Sequence, residues 1–417
     1  MKKIQVSKIG LLVLLLLAVS IFHQSGVFQI HYLTAVFVSA FLFAYAFFRK
    51  PSKTLAGNTK KFNDATKIIC VQWIAIWAYN IFLHVSGHGE KTFLKSSMIQ
   101  MMIPCIVLLG GWGIFRLLGL NTIKYYRYLI FINFLIIGVY NLIKMGPSLF
   151  LSGVMTVFTG SSVGNPLESN ADFIFSIGLL IILYANEKYF DNVNKKKKII
   201  GLIILVFFCG KRSEALALGA LALFSIFTSI IPKKKMYRIE RIVSVVMIVS
   251  YYFYIFALNS GVLYSFLLSH NINTMGRMKM WSYVLQGIPF SVSHLGRGFS
   301  FSTLTVEANK VLTYNDSVYA FHGNVLAFYV DLGFILFGLW MAYNLLVVPV
   351  LYHKKFGYRV VNLYWEMTIY LFILYLTESS LNHPITQGFY IAFLLLGILW
   401  NQNINSVNLV ENLKKKG

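Results

Sequence analysis

Apolar residues run through this chain in long blocks rather than in alternation. The blocks fall at 9–22, 30–48, 68–86, 97–115, 126–143, 171–186, 199–209, 215–231, 242–259, 324–348, 360–377 and 385–400. A helix that crosses a bilayer needs about 20 mostly apolar residues, so the pattern predicts about twelve transmembrane helices, the seventh a short one. The expected fold is all-α: a polytopic integral membrane protein, with 1–417 as a single membrane domain. The first block follows Lys2 and Lys3 and is followed by Ala18-Val19-Ser20, an arrangement shared with signal peptides. With so many blocks behind it, it reads as an uncleaved first helix. No internal repeat is evident, so an inverted-repeat transporter gains no support.

The stretch 199–231 interrupts the pattern, because Lys211, Arg212 and Glu214 stand near its middle. One straight helix would bury two adjacent cations in hydrocarbon, at roughly 2.5–3.5 kcal/mol each. Two helices with Gly210-Lys211-Arg212-Ser213-Glu214 at the turn avoid that cost. Two connections are long, 144–170 and 260–323. The second contains Tyr264, Phe266, Trp281, Tyr283, Phe290, Phe299 and Phe301. That is too apolar for disorder, and a mostly helical loop folded onto the membrane domain is expected.

Composition strengthens this picture. Charged residues make up 12% of the chain, about half of the roughly 25% usual for soluble domains, and the mean hydropathy is +0.67. A disordered chain, a nucleic-acid-binding protein and an ordinary cytosolic enzyme are excluded. The net charge of +23 sits in short Lys/Arg clusters between apolar blocks, as juxtamembrane charge does. Placing the N-terminus in the cytoplasm puts 28 of the 37 Lys and Arg on the inside. Both termini are then cytoplasmic and the 260–323 loop is extracytoplasmic. The remaining cations, Lys91, Lys95, Lys144, Lys211, Arg212, Arg277, Lys279, Arg297 and Lys310, fall outside.

Candidate chemistry gathers on that outside face. Lys211-Arg212 suits an anion, since Arg forms paired hydrogen bonds to phosphate oxygens; the plain alternative is an interfacial cation pair. Arg277 and Trp281 share a face if their segment is helical, being four residues apart, with Lys279 between them. His294-Leu-Gly296-Arg297-Gly298 offers a turn that lets backbone approach a ligand. His322 precedes Asn324 where the loop enters the 324–348 block, and imidazole suits proton transfer near neutrality. Asp331 lies inside that block, where an acid is either functional or paired with another buried polar group. His84 and His88 have a metal-like spacing but lack an obvious third ligand. Cys70, Cys105 and Cys209 lie in apolar blocks and suggest neither disulfides nor a metal. No cofactor is expected.

A transferase outside the cytoplasm has no steady supply of ATP or nucleotide sugars, so its activated donor comes from the membrane. A lipid pyrophosphate is the natural donor, and its departing charge needs stabilisation. Lys211, Arg212, Arg277 and Arg297 are suited to that, with His322 as the base towards an acceptor hydroxyl.

Three patches carry a family resemblance. Gly210-Lys211-Arg212-Ser213 is similar to a basic pair at an outer helix boundary. Arg277-x-x-x-Trp281, Pro289 and Gly296-Arg297-Gly298-Phe299 form a long-loop pattern. His322, Leu326, Asp331 and Gly333 follow the spacing His-x3-Leu-x4-acid-x-Gly. In these patches the chain resembles the Wzy-type O-antigen and capsule repeat-unit polymerases, whose superfamily includes the O-antigen ligases. Lys211 stands where the family often has arginine, Gly323 where it has Asn or Ser, and Asp331 where it more often has Glu. The resemblance implies metal-independent, inverting transfer of a growing glycan from undecaprenyl pyrophosphate to the next lipid-linked repeat unit. It implies that Arg212 and Arg277 hold the pyrophosphate and that His322 is the base. Lys211, Arg297, Asn324 and Trp281 would line the substrate site. It further implies the bacterial inner membrane, membrane lipids as surroundings, and a chain-length-regulating co-polymerase as partner. The alternatives are a ligase of the same superfamily and a lipid-linked-oligosaccharide flippase.

Overall fold

The computed structural model describes residues 30–55, 59–159, 165–167, 171–186, 192–228, 230–272, 276–310, 313–314, 317–318, 321–378 and 384–414. The apolar block at 9–22 lies outside them. The described chain is almost entirely helical, as the long apolar blocks require; its only described strands are a two-residue antiparallel pair, Thr313–Tyr314 with Ser317–Val318.

In chain order the main helices are α1 (Ile30–Phe48), α2 (Thr59–Val85), α3 (Leu94–Leu118), α4 (Thr122–Met145), α5 (Pro147–Met155), α6 (Ala171–Asn186), α7 (Asn192–Cys209) and α8 (Arg212–Thr228). They continue with α9 (Lys233–Asn259), α10 (Val262–Ser269), α11 (Arg277–Leu285), α12 (Phe301–Ala308), α13 (Asn324–Ala342), α14 (Val348–Phe356), α15 (Tyr358–Tyr375) and α16 (Pro384–Lys414). A π-helical turn, Tyr343–Val347, joins α13 to α14.

Four helical stretches are long and apolar enough to cross a membrane: Thr59–Val85, Lys91–Met145, Lys235–Asn259 and Asn324–Phe356. The second of these contains both α3 and α4. Among the described residues these four are clear spans, beside a set of shorter or more polar helices, and the count of about twelve is not confirmed. One of the more polar helices is α15, which carries Arg359, Asn362 and Glu366. Glu366 is held by its neighbours: Asn362 Nδ2 donates to Oε1 at 2.8 Å and Asn186 Nδ2 to Oε2 at 2.5 Å. The break expected inside 199–231 is present, with α7 ending at Cys209, Gly210 in the left-handed region and α8 beginning at Arg212. Within the 144–170 connection, α5 occupies Pro147–Met155.

The interior is aromatic. Trp365, Tyr364, Tyr370, Phe337, Phe389 and Phe393 are fully buried. Two of the buried tyrosine hydroxyls donate to backbone carbonyls, Tyr364 to Asn344 O at 2.8 Å and Tyr370 to Phe175 O at 3.0 Å. Large apolar side chains such as Val249, Phe253, Ile335 and Leu339 face outwards, the reverse of a water-facing surface and suited to lipid.

The 260–323 loop contributes α10, α11 and α12, and it docks onto α13 at a backbone kink. Gly333 has φ 77° and ψ 174° within the helix. A Cβ there would collide with the backbone of His294 and Leu295, and one on Gly296 would lie 2.5 Å from Asp331 O. Only glycine permits this approach. It lets Arg297 N and Gly298 N donate to Val330 O and Asp331 O at 3.1 and 3.0 Å, and Phe334 N to His294 O at 2.8 Å. The carbonyls and amides freed by the kink are therefore paired with the loop.

Candidate functional site

Four segments converge on one carboxylate at the face that carries this loop. Glu378 lies just beyond α15, after the turn at Leu376-Thr377, and its side chain is 5% exposed. Ser213 Oγ, in the first turn of α8, donates to Glu378 Oε1 at 3.1 Å. Arg277 Nη2, at the start of α11, meets the same oxygen at 3.3 Å. His322 Nδ1 stands 3.7 Å from Oε2. The backbone is tied in as well, with Asn324 N donating to Glu378 O at 3.3 Å.

Local structure sets these positions. Gly276, at φ 77°, starts α11 so that Arg277 is its first residue. Trp281 follows one turn later, is buried, and donates from Nε1 to His322 O at 2.6 Å. Gly323 has φ 107°, and a Cβ there would stand 3.2 Å from Leu376 O and 3.5 Å from the Trp281 ring. That tight turn fixes the direction in which His322 leaves the backbone. The helical spacing of Arg277 and Trp281 thus serves one purpose: one residue holds the carboxylate and the other holds the main chain of the histidine.

The electrostatics are those of an anion site. Burial works against ionisation of Glu378, but Lys211, Arg277 and His322 outweigh it and hold its carboxyl below the ordinary value of 4.5. Lys211 and Arg277 both act on Glu378, and Lys211 acts on the buried Glu214 as well. Arg277 and His322 retain 22% and 29% side-chain exposure, so a ligand can reach both.

Beside the cluster lies a small cleft of about 20 Å³. Its walls include Phe299, Phe321 and Phe328 together with Ser300, Asn324 and Asp331.

The structure gathers Lys211, Arg277, Trp281, His322 and Asn324 around Glu378. Arg212 is exposed in the first turn of α8, and the contacts to Glu378 come from its neighbours. Arg297 is also exposed and belongs to the loop docked on the Gly333 kink. Its backbone pairs with Val330, eight residues along α13 from His322, or about 12 Å at 1.5 Å per residue. Lys279 is exposed. Asp331 is an anchor: its carboxylate accepts from Ser300 N at 2.6 Å and Ser302 N at 3.0 Å, capping α12. His294 is buried with Nε2 3.2 Å from Tyr329 O, and burial holds its imidazole below the ordinary value. His84 packs beneath Gly298 while His88 is exposed.

Glu378 is the residue that sequence reasoning passed over. It stands 101 residues from Arg277 and 165 from Ser213, and no local spacing links them. The available signal was an acid at the end of an apolar block, on the face to which the charge bias assigns the scarce outside cations.

Neither the protein-family models nor the curated proteins contain a match to this chain.

Proposed function

We propose that this chain is a membrane glycosyltransferase that polymerises undecaprenyl-pyrophosphate-linked oligosaccharide repeat units. The observation that carries the reading is the positive charge gathered around Glu378, with an imidazole in the same cluster. Arg277 and Lys211 bind the pyrophosphate of the donor and stabilise the charge that develops on it as it leaves. Arg212, exposed beside them, meets the phosphate from the solvent side. His322 takes the proton of the acceptor hydroxyl. Asn324 and Trp281 shape the site. The reaction needs no metal, because the arginine and lysine supply the charge that a divalent ion otherwise would.

In this reading the chain crosses the bacterial inner membrane about twelve times, with both termini in the cytoplasm and the 260–323 loop outside. Arg297 then lies at the rim of the outer face, within reach of a growing glycan. A chain-length-regulating co-polymerase would act alongside.

The test uses purified protein in detergent with its cognate lipid-linked repeat unit as sole substrate. A ladder of polymer on a gel is expected from the parent protein. Folded protein that makes no ladder, but transfers glycan once a separate acceptor is added, would replace the polymerase with a ligase. Movement of the lipid-linked unit across a bilayer without any transfer would replace both with a flippase.

A further inference from the structure

A second group of acids lies far from Glu378, and the proposed transfer does not use it. Tyr254 of α9 bonds to Leu376 O beside the Glu378 cluster. Glu240 stands fourteen residues back along the same helix, about 21 Å at 1.5 Å per residue, and is 1% exposed. Tyr358, Asn362 and Asn186 join it to Glu366 of α15. The direction of each bond follows from one end of this chain. Ile182 O has no proton to give, so Asn186 turns Nδ2 towards it, at 3.1 Å, and the same nitrogen donates to Glu366 Oε2. Asn186 Oδ1 therefore accepts from Asn362 Nδ2 at 2.9 Å, and that nitrogen also donates to Glu366 Oε1 at 2.8 Å. This leaves Asn362 Oδ1, an acceptor, 3.3 Å from the Tyr358 hydroxyl. Glu240 Oε1 stands 2.9 Å from the same hydroxyl. A phenol has one proton to donate, so the network is one proton short. Glu366 is not its source, because both of its oxygens already accept N–H groups. Glu240 is: its Oε2 is buried without a hydrogen-bond partner, and no ion pair reaches it among the described residues. As a carboxylate it would be a buried charge with a single hydrogen bond, which is costly.

We infer that Glu240 is a proton-binding site: its carboxyl carries the missing proton, Oε1–H donates to the Tyr358 oxygen, and Tyr358 donates to Asn362 Oδ1. The inference is independent of the transferase reading. The proton comes from the medium by way of Tyr358, which is half-buried, and no bond other than O–H is made or broken. With the proton in place every donor has an acceptor, and the chain of bonds ties α6, α9 and α15 together. Its loss leaves Asn362 Oδ1 unpaired and sets two like charges, near enough to act on each other, between α9 and α15. That state holds the three helices less firmly. Other titratable groups at this end are Tyr237 and the exposed Arg238 and Arg241 on α9, the exposed Arg359 on α15, and His353 on α14, whose ring stacks on Tyr237 at 4.6 Å. Tyr343, in the π-helical turn, donates to Ile68 O. His270, Arg277 and Lys279 belong to the elements that follow the opposite end of α9.

The experiment is Glu240→Gln, a neutral isostere whose Nε2 can donate to Tyr358 as the protonated acid does. The first readout is the infrared difference between parent and variant in nanodiscs at neutral pH. A carboxylic C=O stretch, separate from the carboxylate bands, is expected in the parent and absent from Glu240→Gln. Tyr358→Phe removes the oxygen that receives the proton and should shift the same band. A parent spectrum without a carboxylic band that Glu240→Gln removes would make Glu240 a carboxylate and overturn the inference. The second readout is reversible unfolding in mixed detergent micelles as a function of pH. The folded carboxyl keeps its proton, whereas a glutamate in the unfolded chain has its ordinary value of about 4.3 and gives the proton up. The unfolded state then binds one proton fewer, so stability falls as pH rises from about 5 until the folded carboxyl itself ionises. Across that window the folded-to-unfolded ratio of the parent should fall by up to about tenfold per pH unit relative to Glu240→Gln. Glu366→Gln should be less stable than the parent, because it sets an amide N–H against the N–H of Asn186 or Asn362. Equal pH slopes in parent and Glu240→Gln would overturn the inference. So would a Glu240→Gln protein that fails to fold, or is less stable than the parent at neutral pH, while Glu366→Gln is not, which would move the proton to Glu366.

Discussion

Removing Arg277 should be costly in stability, and Glu378 explains why. Arg277→Ala deletes the guanidinium that meets a carboxylate only 5% exposed. Breaking a fully buried pair costs about 3–5 kcal/mol, because an uncompensated charge stays behind. Here the loss is smaller, since Lys211 and His322 still act on the carboxylate and Arg277 itself is 22% exposed. The expected loss is about 1–3 kcal/mol, the range for leaving a buried acceptor short of a partner. Adding Glu378→Gln to the arginine variant removes the stranded charge. The double variant should therefore be more stable than the two single losses added together, by at least about 1 kcal/mol. The assay is reversible unfolding in mixed detergent micelles across the four-protein cycle, read by exposure of the buried Cys209 thiol. Losses that add to within about 0.5 kcal/mol, as for independent sites, would refute the charge-compensation argument.

Further outcomes are expected. His322→Ala should abolish polymer while leaving folded protein in the membrane; normal chain lengths from it would remove His322 as the base. Stability should also report on Glu378: its carboxyl is held below its ordinary value, so its contribution is complete above the unfolded carboxyl value and is lost as pH falls through the lower folded one. Glu378→Gln should flatten that acid limb of the stability profile, and an equally steep loss in the variant would assign it to other acids. Gly333→Ala, at φ 77° and against the backbone of His294 and Leu295, should cost at least about 2 kcal/mol and expose the loop to protease; unchanged proteolysis would show that the kink relaxes. Asn309→Cys, exposed beyond α12, should react with an impermeant thiol reagent from outside intact cells. Labelling only after lysis would invert the topology.

The helices were legible because hydrocarbon demands long apolar runs, and the break at Gly210 because two cations interrupt one. Arg277 and Trp281 were legible because a helix brings residues four apart together. What escaped depends on contacts across the chain. An apolar average also hides residues such as Glu366, whose carboxylate is satisfied by Asn186 from a helix 180 residues away in sequence. Asp331 read equally as a functional acid or a paired one, and only the amides of Ser300 and Ser302 decide for an anchor. Glu378 escaped altogether, because a carboxylate's partners are set by tertiary packing and leave no period in the sequence.

The chain order of the cluster also sets its order of assembly. Ser213, Arg277 and His322 are synthesised before Glu378. While α15 is still to be inserted, the face holding Lys211 and Arg277 lacks its internal anion, and Asn324 N lacks the carbonyl that receives it. The loop can dock on the Gly333 kink earlier, since both partners lie upstream. Folding of the scaffold and completion of the reactive centre are thus separable events during membrane insertion, and the centre closes only when the chain delivers residue 378.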